Sequence, residues 1–417
     1  MSGGGSAGRD AARALADALA EQRLRIVASL IRTTGDWDLA EDAVADATER
    51  ALRHWPVDGV PDNPAAWLTT TARRRALDVL RRARTERAKL AEVAEVAEVA
   101  AMDGPDDEPG SAWDDDRLRL VFTCCHPAIP LEGRVALTCK VVAGLSTAAV
   151  ARAFLVSEAT MGQRLLRAKQ KIAHAGIPYR VPGPENVDER LDGVLAVVYL
   201  VFTTGWAAAD DDVLVAEAVR LGRLLVALVP RSEEARALLA LMLLQHARRP
   251  ARLVDGELVT LEHQDRGRWV EALTREGLVL LRAADGPRGP YRLQAELAAV
   301  HSRAATAADT DWPTIVELYD ELLEVHPSPV VALNRAVAVG MAQGPDAGLR
   351  ALEELTGQRV LAGSHLVPAV RADLLARADR DAEAVVALDE AVRLAPTEQE
   401  RRQLARRRDE LGGLNQR

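Results

Sequence analysis

GLSTAAVARAFLVSEATMGQRLLRAKQKI, Gly144 to Ile172, reads as two helices joined by a tight turn, the second of them basic. That is the outline of a helix-turn-helix, a device that lays its second helix in the major groove of DNA. Ser146 and Ser157 stand where N-caps belong, because a serine hydroxyl accepts from an early unpaired N–H. Met161, Leu165, Ala168 and Ile172 recur at helical spacing and define a buried face. Gln163, Leu166, Arg167 and Gln170 fall on the opposite side, with Thr160 and Arg164 at its flank. Arg and Gln can bond base edges in pairs, and an apolar tip such as Leu166 can meet a thymine methyl. Lys169 and Lys171 suit phosphate contacts. The same pattern also fits an amphipathic helix pair with a solvated basic face.

Around this stretch the composition points to an all-α chain. Ala, Leu, Val, Arg and Glu dominate the 417 residues, aromatic residues are 3%, and strand-type alternation is scarce. The net charge is −9. A protein that binds DNA strongly by itself is usually basic overall, so contacts here must come from local basic patches, as in a protein that meets DNA within a larger assembly. The three cysteines, Cys124, Cys125 and Cys139, lack ligand-like spacing and read as small buried thiols; no metal and no cofactor are expected. The longest apolar run, Val194 to Ala209, is too short to span a bilayer, so no membrane partner is expected and the expected location is cytoplasmic. There is no phosphate-cradling Gly loop, HExxH or GxSxG, and His246, His263, His301 and His326 are scattered; nothing marks the chain as an enzyme.

Upstream, residues 1–8 form a Gly/Ser tail expected to be disordered, and a first helical block covers 9–87. Within it Asp38 to Trp55 is an acidic amphipathic helix with Leu39, Ala43, Ala47 and Ala51 as its inner stripe. A Pro/Asp loop, Pro56 to Pro64, leads into a basic helix, Ala65 to Arg84, with Leu68, Ala72 and Leu80 toward the core. Residues 88–115, an acidic repeat rich in Glu, Val and Ala followed by Gly and Pro, read as a flexible linker. A second block, 116–178, contains the helix-turn-helix (146–172), and 179–186 is a Pro-rich boundary. The remainder, 187–417, is helical by pattern. Weak self-similarity recurs there: ALEEL from Ala351 resembles ALDEA from Ala387, and YDELLEVHP from Tyr319 resembles LDEAVRLAP from Leu388. Such spacing predicts tetratricopeptide-like helix pairs from about residue 312, with an irregular bundle as the alternative. Trp206, Gln264–Asp265–Arg266, Trp269 and Gly289–Pro290–Tyr291 stand out as buried anchors and loop braces.

Two of these blocks together resemble a known family. The acidic helix with Ala40–Glu41–Asp42, the basic helix beginning Pro64–Ala–Ala–Trp–Leu68 and continuing through Ala72 to Asp78 and Arg81–Arg82, a linker, and a helix-turn-helix ending Arg164–Leu–Leu–Arg–Ala–Lys169 resemble regions 2 and 4 of the extracytoplasmic-function group of bacterial sigma factors. With Phe122 to Pro127 and the helical tail, the chain resembles the subgroup with a long tetratricopeptide-like C-terminal extension. The resemblance implies a region 2 helical bundle, a region 4 helix-turn-helix domain and a helical repeat domain. It implies that core RNA polymerase is a partner, its β′ clamp helices meeting Glu41, Asp42, Asp46 and Arg50, and its β flap meeting region 4. It implies that promoter DNA is read at the −10 element by Asp62, Asn63, Trp67, Arg74, Arg75, Asp78, Arg81 and Arg82, and at the −35 element by Thr160, Gln163, Arg164, Leu166, Arg167 and Lys171. Trp67 stays open between a core anchor and a stacking platform. The chain departs from the family at Ala45 and Thr48, where Gln and Phe are usual, at Leu155, where the turn usually has Gly, and at Arg74, often Asn. The tail would modulate activity through a protein or peptide partner. The alternative is a stand-alone helix-turn-helix regulator with a repeat-type sensor domain.

Overall fold

The computed structural model describes residues 4–91, 115–154, 156–183, 186–207, 212–254, 257–283, 286–355 and 363–414. Helix α1 (Gly4–Thr34) begins inside the expected tail, because extending a helix already nucleated further along costs little per residue. Helix α2 (Trp37–Asp58) starts at Asp36, whose carboxylate accepts from the Asp38 and Leu39 N–H groups at 3.0 Å. Its buried stripe is Ala40, Ala43, Val44, Ala47, Ala51 and Trp55. Leu39, expected in that stripe, is only half-buried, since the run of alanines sets the axis of the contact one residue on. Helix α3 (Pro64–Ala91) presents Leu68, Ala72 and Ala76 to the bundle; Leu80 lies half-buried beyond it. Alanine on both facing stripes lets α2 and α3 approach α1 closely, and α1 is buried almost continuously from Leu24 to Ile31.

Of the expected linker, 88–91 continue α3, and 92–114 lie outside the described residues. Asp115 caps helix α4 (Asp116–Cys124) by accepting from the Arg117 N–H at 2.8 Å. Helix α5 (Leu131–Leu137) runs into a π-helical turn, Thr138–Val142, and then come α6 (Thr147–Ala153) and α7 (Glu158–His174). Both serine caps are in place: Ser146 Oγ accepts from the Ala149 N–H and Ser157 Oγ from the Thr160 N–H, each at 3.1 Å. The buried residues of α7 are Met161, Leu165, Ala168 and Ile172, the set its spacing predicts. Leu155, in the turn, lies outside the described residues. Replacing Ser157 by Ala is expected to cost about 1 kcal/mol, measured as a lowered urea midpoint, because one first-turn N–H of α7 loses its partner.

The boundary expected at 179–186 is held at its first residue. Tyr179 donates from its hydroxyl to the Ala28 carbonyl at 3.0 Å and lies 3.3 Å from the Asp116 carbonyl, tying the end of α7 to α1 and α4. Helix α8 (Val187–Ala207) then packs against α4 and α5, with Arg190 donating to the Phe122 carbonyl at 2.9 Å. One compact unit therefore covers 1–221, past the expected boundary at 187, and helix α9 (Asp212–Leu228) leads on to a second, 222–417.

In that second unit α10 (Glu233–Ala247) is apolar on all sides and buried from Ala237 to Leu244, as a central helix must be. The turn α11 (Arg249–Arg252) follows, then a two-residue antiparallel pair, β1 (Leu253–Val254) and β2 (Glu257–Leu258), in register Leu253 to Leu258. Helices α12 (Glu271–Arg282) and α13 (Pro290–Arg303) flank α10. Next come α14 (Trp312–Val325), α15 (Pro329–Gln343), α16 (Pro345–Glu353), α17 (Leu366–Arg377), α18 (Asp381–Leu394) and α19 (Glu398–Leu414), each packed on its predecessor. Helices α14, α16 and α18 start at 312, 345 and 381, steps of 33 and 36 residues. Tyr319, Leu352 and Leu388 are each the eighth residue of their helix, so the weak sequence similarity is one of position within a repeating unit. Gly340 and Gly348 let α15 and α16 touch: a Cβ on Gly348 would lie 2.8 Å from the Gly340 Cα.

Candidate nucleic-acid interface

The outer face of α7 is open to solvent. Thr160, Gln163, Arg167 and Lys171 are exposed, and Leu166 is 46% exposed although apolar. Burial of the opposite stripe forces this, because residues at 163, 166, 167 and 170 cannot turn inward while 161, 165, 168 and 172 are packed. Arg164, at the flank, is half-buried and ion-paired with Glu132 of α5 at 3.1 Å. It is held toward the domain rather than displayed with the others.

A second polar surface lies on α3. Arg74, Asp78, Arg81 and Arg82 are exposed and recur at helical spacing along one face. Arg81 and Asp78 lie 3.8 Å apart, and Arg75 reaches Asp46 of α2 at 3.7 Å. At the head of α3, Asn63 Oδ1 accepts from the Ala66 N–H at 2.9 Å, so this side chain caps the helix; Asp62 beside it is exposed. Trp67 packs edge-to-face on Trp55, centroids 5.5 Å apart, while remaining half-buried. The ring anchors α3 to α2 and keeps part of its surface in solvent.

On α2 the four residues singled out do not form one exposed patch. Asp42 is exposed; Arg50 pairs with Asp46 at 2.7 Å along the helix. Glu41 faces inward, its side chain only 13% exposed, among three cations from elsewhere in the same unit. Its Oε2 lies 3.2 Å from Lys169 Nζ, and its Oε1 lies 3.5 Å from Lys140 Nζ and 3.8 Å from Arg23. Lys169 also donates to Asp38 at 2.6 Å and is 16% exposed, so it is not displayed for a phosphate. Burial pulls its ammonium down, but Asp38 and Glu41 together outweigh that and hold it above the ordinary lysine value. Arg23 in turn donates to the Val141 carbonyl at 3.0 Å, and burial lowers its guanidinium although Glu41 opposes this. Gly144, at φ +80°, lies directly under that guanidinium, where a Cβ would come within 2.8 Å of it. Asp38, Arg23 and Lys140 were not legible as site residues: Asp38 pairs with a lysine 131 positions on, Arg23 with a carbonyl 118 positions on, and Lys140 with Glu41, far back in another helix.

The other residues singled out are structural. Cys124, Cys125 and Cys139 are buried and free; burial raises the Cys124 thiol well above its usual value and pushes Cys125 up to about 11. Trp206 stacks on the buried Phe202 at 6.0 Å. Gly289 lets the Glu234 carboxylate sit on the first turn of α13, accepting from Tyr291 N–H at 2.8 Å and Arg292 N–H at 3.1 Å. Among the described residues no group of His, Cys, Asp or Glu could hold a metal ion, and no helix is long and apolar enough to cross a membrane.

Residues 15–86, the bundle of α1 to α3, match the family profile described as sigma-70 region 2. A sigma-70 region 2 domain supports a role as an RNA polymerase sigma factor and implies binding to core polymerase and promoter DNA. Residues 190–285 match a family of unknown function, DUF6596. Over 387 residues the chain is 41% identical to an uncharacterized protein, R00370, of Rhizobium meliloti (strain 1021), covering 91% of each. The crystal structure of yeast Tom70 aligns with 97% of this chain and 88% of that one at 12% identity and a TM-score of 0.32, too slight a likeness to carry weight.

Proposed function

We propose that the chain is a sigma factor of the extracytoplasmic-function type, reading the −35 element as duplex with α7 and the −10 element with α3 and the loop before it, and that the helical tail modulates this activity. The observation that carries the reading is the outer face of α7: Gln163, Leu166, Arg167 and Lys171 stand exposed together on a helix whose opposite stripe is fully packed. Two of these side chain types suit base edges, one suits a thymine methyl and one a phosphate. The exposed stripe of Arg74, Asp78, Arg81 and Arg82, with Asp62 at its head, supplies a second surface for separated strands, whose backbone and unstacked bases call for cations and polar edges. Asp42 and Arg50 stand exposed for the β′ clamp, with Asp46 half-buried beside Arg50; Glu41 becomes accessible only where its pairing with Lys169 is broken. At net charge −9 the isolated chain is a poor ligand for DNA, so core polymerase supplies the affinity that brings both surfaces to a promoter. The test is abortive initiation with purified chain and core polymerase. Initiation from selected promoters only when both are present is expected; tight, site-specific DNA binding without core would mean a stand-alone regulator instead.

A further inference from the structure

The corner where α10 ends brings several arginines together. Arg248 closes α10, and Arg249 and Arg252 follow in α11. Facing them is the loop 264–269, with Arg266 and Trp269, and the last turn of α13, with His301. Uncharged contacts fix the loop there: Val270 N–H donates to the Ala247 carbonyl at 2.9 Å, and Gln264 Nε2 to the Val259 carbonyl at 3.0 Å. Arg266 is already engaged, donating to the His301 and Ala304 carbonyls and lying 4.9 Å from the Trp269 ring centroid. Asp309 acts on Arg266 and Glu400 on Arg252. Arg248 instead meets the like charges of Arg252 and Arg266. Its Nε is buried with no acceptor, and so is Trp269 Nε1. Donors buried without acceptors, one of them on a cation, are costly unless something anionic completes them. The electrostatics agree: burial, then Arg252 and Arg266, bring Arg248 down to about 10, and burial, then Arg248 and Arg266, bring His301 down to about 4. Arg252, Arg266, Trp269 and His301 are each half-buried, so the corner is reachable from solvent.

We propose that this corner is a binding site for a small oxyanion, phosphate or carboxylate, with Arg248 as its principal ligand, Arg252 beside it and the Trp269 N–H donating from the facing loop. The test uses the full chain in a buffer free of both groups, titrated separately with inorganic phosphate and acetate, with chloride at matched ionic strength. The thermal midpoint should climb with the logarithm of one oxyanion and stay flat in chloride. A phosphate response larger than the acetate response assigns a phosphoryl ligand, and the reverse a carboxylate. Because the DNA-reading arginines also attract phosphate, the decisive quantity is the difference from Arg248→Met, which should weaken the affinity by about tenfold or more. Trp269→Phe keeps an aromatic face under Arg266 and removes one donor; it should weaken binding about threefold and decides the matter if Arg248→Met does not fold. An unchanged response in the folded variants, or no response in the wild type, overturns the site.

Discussion

Glu41→Gln should loosen the contact between α2 and α7, destabilising it by about 2–3 kcal/mol even though the shape of the side chain is kept. The carboxylate sits among Arg23, Lys140 and Lys169, with Oε2 3.2 Å from Lys169 and Oε1 3.5 Å from Lys140. Neutralising it leaves three cations facing one another at a half-buried position, with Asp38 still on Lys169 and the more distant Glu217 acting on Arg23. Removing one partner of a shielded ionic cluster costs more than the cluster contributed, because the remaining charges stay desolvated. Hydrogen exchange in the full chain reads this locally: amides of α7 and of 138–145 should exchange faster, while those of α14 to α19 should not change. Asp42→Asn, one position on but exposed, is the control and should stay within about 0.5 kcal/mol of wild type. Equal protection in the two variants would show that the cluster does not hold α2 to α7.

Alkaline titration probes the same cluster from its lysine. Asp38 and Glu41 raise Lys169 above its ordinary 10.5, so the folded state holds that proton more tightly than the unfolded chain. The stabilisation is complete below about 10.4 and is lost as pH rises through the raised folded value. Exchange in α7 should therefore accelerate above that pH in wild type, beyond the intrinsic rise of the chemistry, and Lys169→Met should abolish the excess.

The local parts of this molecule were legible in its sequence and the long-range parts were not. Two serine caps and the stripe 161, 165, 168, 172 depend only on neighbours within a few turns, and all are realised in the fold. The repeat positions Tyr319, Leu352 and Leu388 were legible for the same reason, since each is set by its own helix. Lys169 reads as a phosphate contact because helical spacing places it near the basic face; its true partners, Asp38 and Glu41, are 131 and 128 residues distant. No periodicity signals such a pair. The boundary expected at 187 is overridden likewise by contacts the sequence does not advertise: a tyrosine hydroxyl on a carbonyl of α1, and Arg190 on the Phe122 carbonyl. Trp67 was open between two roles; the geometry shows it packed edge-to-face on Trp55 and half-buried, which is the anchoring contact.

Arg167→Ala should reduce initiation from a cognate duplex promoter by about ten- to a hundredfold, the loss of one paired base contact at about 1–3 kcal/mol. Arg167 is exposed on α7, so its removal should leave stability within about 0.5 kcal/mol of wild type. Lys171→Ala should behave differently: a uniform loss across promoter sequences, with the slope of log affinity against log salt shallower by about 0.9. Arg164→Ala should show a third pattern, since its guanidinium pairs with Glu132 at 3.1 Å and supports the helix rather than the groove. Its effect should be equal on all promoters and accompanied by a lowered thermal midpoint. The α3 arginines separate from all of these on a template premelted over the −10 element. There the cost of unstacking is already met, so Arg81→Ala and Arg82→Ala should lose less than on duplex, whereas Arg167→Ala should lose as much on either. If Arg167→Ala leaves promoter choice and output unchanged while core polymerase still binds the chain, α7 is not the −35 reader, and its exposed Leu166 and Gln163 must serve some other surface.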